Sequence, residues 1–208
     1  MAAVARSVAP VKTGDAPRSG RSRMTPEREA ELYSAVLDLL RKFGYEALTM
    51  EAIAARSRCS KATLYRRWAG KPELVATALR HQRPVALGEI DTGSLRGDFQ
   101  AIVAHMDERH MEQDTALLRA LSSAVHAYPD LLQALRGLLI DPELTGLEAV
   151  LARAVERGEI ASGAAALAYV PHMLVGVLVA QPLLMGRPLD ATFARRYVDA
   201  AVLPALGI

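Results

Sequence analysis

Residues 60–68, Ser60-Lys61-Ala62-Thr63-Leu64-Tyr65-Arg66-Arg67-Trp68, carry more structural information than any other stretch of this 208-residue chain. Ser60 is a residue type that caps helix starts, because its hydroxyl can accept a bond from an orphan backbone N–H. Leu64 and Trp68, four apart, share one helical face and with Cys59 point toward a core. The other face is left with Lys61, Thr63, Tyr65, Arg66 and Arg67, long donors and one aromatic on a short exposed helix. Such a helix fits the major groove of DNA, where Lys and Arg neutralise phosphates or reach guanine edges. Thr63 and Tyr65 can bond phosphate or touch a thymine methyl.

The flanks fit the same reading. Thr49 caps a preceding short helix that contains Ile53 and Ala54. Ala52, Ala54, Ala55 and Ala62 supply the small residues that two crossing helices need. Thr49 and Lys71 stand at helix starts, where amides and an ammonium can clamp phosphates. Further upstream, Thr25, Pro26 and Glu27 open a helix with an apolar stripe at Leu32, Ala35, Val36, Leu39, Leu40 and Phe43, stopped by Gly44. Downstream, Gly70-Lys71-Pro72-Glu73 opens a fourth helix that runs to about Gln82, with Pro84 as its stop. Three short helices and a connector are the content of a helix-turn-helix module. Residues 1–24 read as a flexible basic arm. Its Arg18, Arg21 and Arg23 suit either an adjacent minor groove or a solvated tail.

The stretch Phe43-Gly44-Tyr45-Glu46-Ala47-Leu48-Thr49-Met50-Glu51-Ala52-Ile53-Ala54, followed by residues 60–68 and Lys71-Pro72-Glu73-Leu74, closely resembles the tetracycline-repressor (TetR) family. The likeness covers roughly residues 27–80. Elsewhere only Gly186-Arg187-Pro188-Leu189-Asp190, before the last helix, looks like many members. The resemblance implies a homodimer whose subunits join a small DNA domain to a larger ligand-binding and dimerisation domain. It also implies that a ligand in the larger domain moves the DNA heads and releases the operator. Carried over by position, Thr49, Lys61, Ala62, Thr63, Tyr65, Arg66, Arg67 and Lys71 match family positions that often touch DNA. Arg58 departs from the pattern, since the turn there often carries Gly, which tolerates positive φ cheaply. Either the turn has another geometry, or Arg58 carries some strain and offers an extra phosphate contact.

Composition and pattern support an all-α protein with a helix-turn-helix domain over 25–83 and a helical domain over 84–208, which the resemblance implies is the effector-binding and dimerisation domain. The chain is 51% hydrophobic with only 5% aromatics, a palette that favours helices and excludes wholesale disorder. Residues 1–83 hold 16 Lys/Arg against 8 Asp/Glu, and the remainder 9 against 15, so one end suits a polyanion. The single cysteine rules out an intramolecular disulfide and fits a reducing cytoplasm. The apolar run Leu174–Ala180 is too short for a bilayer and reads as a buried helix, so no membrane is expected. Helical patterns recur near 95–111, 115–127, 129–139, 142–157, 163–185 and 190–204. The last two carry small residues suited to a two-fold four-helix interface, with a kink or looser turn at Pro171.

The expected partners are a pseudo-palindromic operator, a second copy of the chain and a hydrophobic small-molecule effector. Polar handles for that effector are sought at His105, His126, Tyr169 and His172, with Met173 as an adaptable filler and Gln181 a further handle. No cofactor, metal or enzymatic activity is expected. Cys59 lies inside the helix-turn-helix, and His105 and His110, five apart, do not share a helix face. No Gly-rich phosphate loop is present. The alternatives are an activator, a repressor without a ligand, or a helical enzyme with a vestigial DNA head.

Overall fold

The computed structural model describes residues 24–82, 86–105, 117, 120–187 and 189–208, and these residues contain helices and no strand. Residues 1–23 of the arm, with Arg18, Arg21 and Arg23, and His110 lie outside the described residues. The head consists of α1 (Pro26–Ala47), α2 (Met50–Ser57), α3 (Lys61–Arg67) and α4 (Lys71–His81). Each of the three caps read from the sequence is made by the side chain expected. Thr25 accepts from Arg28 N, Thr49 from Ala52 N and Ser60 from Thr63 N.

Within α1, Leu32, Ala35, Val36 and Leu40 are buried as the stripe requires, and Leu39 is half-buried. Phe43 departs from the expectation: it is exposed, with the Lys42 ammonium 5.1 Å from its ring centre. The cause is Gly44, whose φ of +77° swings the chain before one more helical turn. Tyr45 enters the core in place of Phe43.

The second half contains α5 (Leu95–Ala104), α6 (120–127), α7 (Pro129–Leu135), α8 (Asp141–Glu156), α9 (Val170–Met185), α10 (Ala191–Tyr197) and the short α11 (Leu203–Ala205). Wide π turns at Arg136–Ile140 and Val198–Val202 join α7 to α8 and α10 to α11. Pro171 does not kink a long helix. It stands in the first turn of α9, after a tight 3-10 turn at Ala165–Tyr169, where its missing N–H costs no hydrogen bond.

Two apolar cores result, and they are not divided at residue 83. The first joins α1–α4 to Leu117, Leu121 and Ala124 and to Leu131 and Leu135 of α7. α4 is buried along Leu74, Val75, Ala76, Ala78 and Leu79, because it packs on α1 on one side and on α7 and the π turn on the other. The second core joins α5, α8, α9 and the C-terminal helices through Phe99, Leu147, Val150, Val170, Val202 and Leu203.

A polar clasp closes the second unit. Asp98, fully buried, accepts from Thr92 N at 2.6 Å, from Thr92 Oγ1 at 2.8 Å and from Arg157 Nη2 at 3.3 Å. Arg157 also donates to Glu159, whose other oxygen receives Leu95 N at 2.7 Å and so caps α5. Beside this clasp the 3-10 turn Leu87–Glu89 lies on α8 so closely that a Cβ on Gly146 would come within 2.8 Å of Gly88 N.

One expectation about the second unit fails. The apolar run of α9 is not a buried helix: among its residues only Val170 and Gln181 are buried, while Val175, Val179, Leu183, Leu184 and Met185 are exposed. The residues Leu174, Val177 and Leu178 that face the core are themselves only half-buried. With a mean hydropathy of 1.6, residues 165–185 also have the length and composition of a bilayer span.

Candidate nucleic-acid interface

The turn between α2 and α3 sets the angle at which α3 is presented. Arg58 ends α2 in the left-handed region (φ 52°, ψ 38°), the only non-glycine with positive φ among the described residues. Arg58 N donates to Ala55 O at 3.4 Å and Cys59 N to Ala54 O at 2.9 Å. That pair of bonds is a Schellman closure, which ordinarily has Gly in the left-handed position. Of the two alternatives for this turn, the geometry is therefore the one Gly would adopt, with Arg in it.

Leu64 and Trp68 anchor α3 in the first core, and Tyr33 meets Trp68 edge-on at 6.0 Å. Cys59 packs half-buried beside them. Lys61, Ala62, Tyr65, Arg66 and Arg67 are exposed, and Thr63 is half-buried with its hydroxyl 2.8 Å from Ser60 Oγ. Thr49, at the start of α2, is exposed.

The cations of this surface fall into three groups. Lys61 donates to Glu51 of α2 at 2.7 Å. The bond holds the Glu51 carboxyl below its ordinary pKa and the Lys61 ammonium above its own. Arg67 is paired with Glu29 of α1 and lies 5.4 Å over the Trp68 ring. Arg66, by contrast, has no partner among the described residues and stands beside the exposed Tyr65 ring. Exposed ion pairs are worth little in water, so Glu51 and Glu29 orient their cations without locking them.

Lys71 is placed differently from the others. Its ammonium turns inward, donating to the Tyr45 carbonyl at 2.9 Å and lying 4.1 Å from the Tyr45 ring centre and 5.7 Å from that of Tyr128. The two rings meet edge-on at 5.2 Å. Burial pushes the Lys71 pKa down, against a smaller pull upward from Glu46. Burial likewise pushes the Tyr45 phenol up to about 12, helped by Asp130 and Tyr128.

The residues sought as effector handles are not gathered in one place. His105 Nδ1 lies 2.7 Å from Ala101 O and His126 Nδ1 2.9 Å from Ser122 O, each bonded back to its own helix and exposed. Tyr169 and His172 are exposed neighbours, their rings 6.5 Å apart. Met173 is half-buried on the second core, its carbonyl accepting from Tyr197 Oη at 3.3 Å. Gln181 is the one buried handle, and its Nε2 has no hydrogen-bond partner among the described residues. An open groove of about 400 Å3 is lined by Pro129, Leu132, Gln133, Arg136, Gly137 and Asp141, and none of the handles borders it.

Sequence reasoning missed Glu29, Glu51, Tyr45 and Tyr128. Each lies at least ten residues from the cation it meets, so no local spacing betrays the pairing.

Known proteins share both halves of this arrangement. Residues 32–78 match the bacterial regulatory proteins of the tetR family, and residues 89–201 match the tetracyclin repressor-like C-terminal domain. The HTH-type transcriptional regulator Rv1556 of Mycobacterium tuberculosis is 36% identical over 180 residues, which is 86% of this chain and 88% of that protein. The DNA-binding transcriptional repressor TetR of Mycobacteroides abscessus is 34% identical over 177 residues, 85% of this chain and 92% of that protein. Among solved structures, the TetR family transcription regulator SCO0332 superposes with a TM-score of 0.62 at 28% identity, covering 86% of this chain and 98% of its own. The flavonoid-responsive regulator FrrA shares the fold at 19% identity and a TM-score of 0.60, over 88% of this chain and 97% of its own.

Proposed function

The chain belongs to the TetR family of helix-turn-helix transcriptional regulators, and we propose that it is a homodimeric repressor released from a pseudo-palindromic operator by a hydrophobic small molecule. The observation that carries the DNA half is the outer face of α3, where Tyr65 and Arg66, unpaired among the described residues, stand exposed over a helix fixed from behind by Leu64 and Trp68. A helix held in this way presents its donors to base edges without reorganising its own core. Lys61, Ala62, Thr63 and Arg67 extend the contact along α3, and Thr49 and Lys71 add phosphate contacts at helix starts.

The dimer rests on α9. Leu183, Leu184 and Met185 are 80%, 75% and 60% exposed, and Val175 and Val179 continue the stripe. A contiguous apolar face of this kind on a DNA-binding chain is what a two-fold helical interface covers. The same burial accounts for the hydropathy of residues 165–185 without a membrane, in a protein that works in the cytoplasm. Two copies would set their α3 helices about 34–36 Å apart, one turn of DNA. The repressing sense is supported by the Mycobacteroides abscessus relative, itself a repressor. Release by an apolar effector is supported by the incompletely packed inner side of α9, where Leu174, Val177 and Leu178 stay half-buried and the buried Gln181 Nε2 has no partner among the described residues.

Tyr65→Ala and Arg66→Ala test the site. Both variants are expected to lose specific gel shifts of the promoter fragment beside the protein's own gene while remaining dimeric. Operator binding like that of the wild type by both would overturn the assignment.

A further inference from the structure

Lys71 and Tyr45 belong to the head, and Tyr128 belongs to the second half of the chain, at the turn from α6 into α7. The matched family domains, residues 32–78 and 89–201, divide between them. The three side chains nevertheless form one cluster, with an ammonium between two rings and a carbonyl. Among the described residues no carboxylate is ion-paired with Lys71, and Glu46 acts on it only at longer range, which is unusual for a half-buried cation. The cage is therefore a weak hold, made of two ring faces and one neutral acceptor, for a charge that a phosphate would hold more strongly. Tyr128 is itself fixed by the backbone. Its N–H donates to Ala124 O at 2.8 Å, closing α6, and its carbonyl accepts from Leu131 and Leu132 to open α7. Any shift of the α6–α7 turn therefore moves the ring against the ammonium.

We propose that Tyr128 is a positioning residue for operator binding: it helps hold the Lys71 ammonium in a cage inside the free protein, and operator phosphate must draw the ammonium out. The cage then opposes DNA binding, by an amount set by where the α6–α7 turn places the ring. The inference rests on the DNA-binding reading above and goes beyond it in assigning a residue of the regulatory half to the affinity of the head.

Two measurements test it. In the first, lysine labelled with 13C at Cε is observed by NMR in the full-length dimer. One ε-methylene signal is expected to be shifted upfield by the rings, to vanish in Lys71→Arg, and to return to the bulk lysine position when a promoter duplex is added. The duplex is one recovered by the wild-type protein from genomic fragments. An upfield signal that persists at saturating duplex would overturn the proposal. In the second, fluorescence anisotropy with that duplex reads affinity. Tyr128→Leu is expected to tighten binding roughly threefold to tenfold, the size of one partly desolvated cation–π contact. Tyr128→Phe, which keeps the ring, is expected to bind like the wild type. In a Lys71→Met background, Tyr128→Leu is expected to change nothing. Weaker or unchanged binding by Tyr128→Leu, or the same gain without Lys71, would overturn the proposal while leaving the DNA-binding reading intact. Failure of the wild type to recover any specific fragment would overturn both.

Discussion

Replacing Arg58 by glycine should stabilise this protein, although it removes a whole side chain. Arg58 occupies the left-handed region at φ 52°, ψ 38° in the closure of α2. An L-residue with a Cβ sits there at a cost of about 1–2 kcal/mol relative to its preferred regions, a cost glycine escapes. Glycine gains more freedom in the unfolded chain, which returns about 0.5–1 kcal/mol of that advantage. The side chain offsets little, because Arg58 is exposed and its guanidinium makes no hydrogen bond or ion pair among the described residues. The net expectation is a gain of about 0.5–1 kcal/mol. For a chain of this length that raises the melting temperature by roughly 1–4 °C. Calorimetry at one fixed protein concentration is the assay, since the proposed dimerisation would make the midpoint concentration-dependent. Arg58→Ala is the control, because it removes the same charge and leaves the strain. A gain in Arg58→Ala equal to that in Arg58→Gly, or a loss in Arg58→Gly, would refute the strain argument. The same pair of variants addresses DNA. If Arg58 touches a phosphate, each should lower the slope of log affinity against log salt by about 0.9.

The remaining expectations concern the two places where the second unit is tightly built or left open. Gly146→Ala should destabilise by about 1–2 kcal/mol in urea unfolding, despite the better helix propensity of alanine, because overpacking against Gly88 outweighs a gain of about 1 kcal/mol. Gly137→Ala, whose Cβ would meet nothing within 4 Å, should be neutral or stabilising. Equal effects at the two glycines would show that the close approach of the 3-10 turn to α8 is not what fixes residue 146. Leu183→Glu combined with Leu184→Glu should give monomers in sedimentation velocity with unchanged helical circular dichroism. A dimer that survives this double change would remove α9 from the interface.

The head was legible because its signals are local. Thr25, Thr49 and Ser60 cap helices three residues ahead, and Leu64 and Trp68 fall on one face by spacing alone. Phe43 was misplaced because the sequence stripe continues through Gly44 as if the helix were straight, whereas the positive φ there rotates the next side chain into the core. α9 was misread for a different reason. Its run of Leu, Val and Ala reports that the helix is apolar, and periodicity cannot distinguish burial against its own chain from the burial against a second copy proposed above. The ionic partners of Lys61 and Arg67 were invisible because Glu51 and Glu29 come from other helices. Only the fold brings them within reach.

That last point bears on how this head discriminates between DNA and other polyanions. If every cation on α3 were free, any polyanion would be attracted equally, since phosphate contacts carry no sequence information. Here Lys61 and Arg67 already face carboxylates, and Lys71 faces rings and a carbonyl. Arg66 alone of these four cations has no partner among the described residues. A non-specific phosphate must displace an existing partner to gain each of the other three contacts, so the net gain per contact is reduced. On the proposed reading a cognate site adds base-edge bonds from Tyr65 and Arg66, which displace nothing. On the proposed site the same three displacements oppose a non-specific and a cognate complex alike, so the pairing lowers both affinities by the same factor and leaves their ratio to the base contacts. A surface that partly neutralises itself therefore holds all DNA less tightly, and discrimination between sequences falls to Tyr65 and Arg66 in the proposed contact.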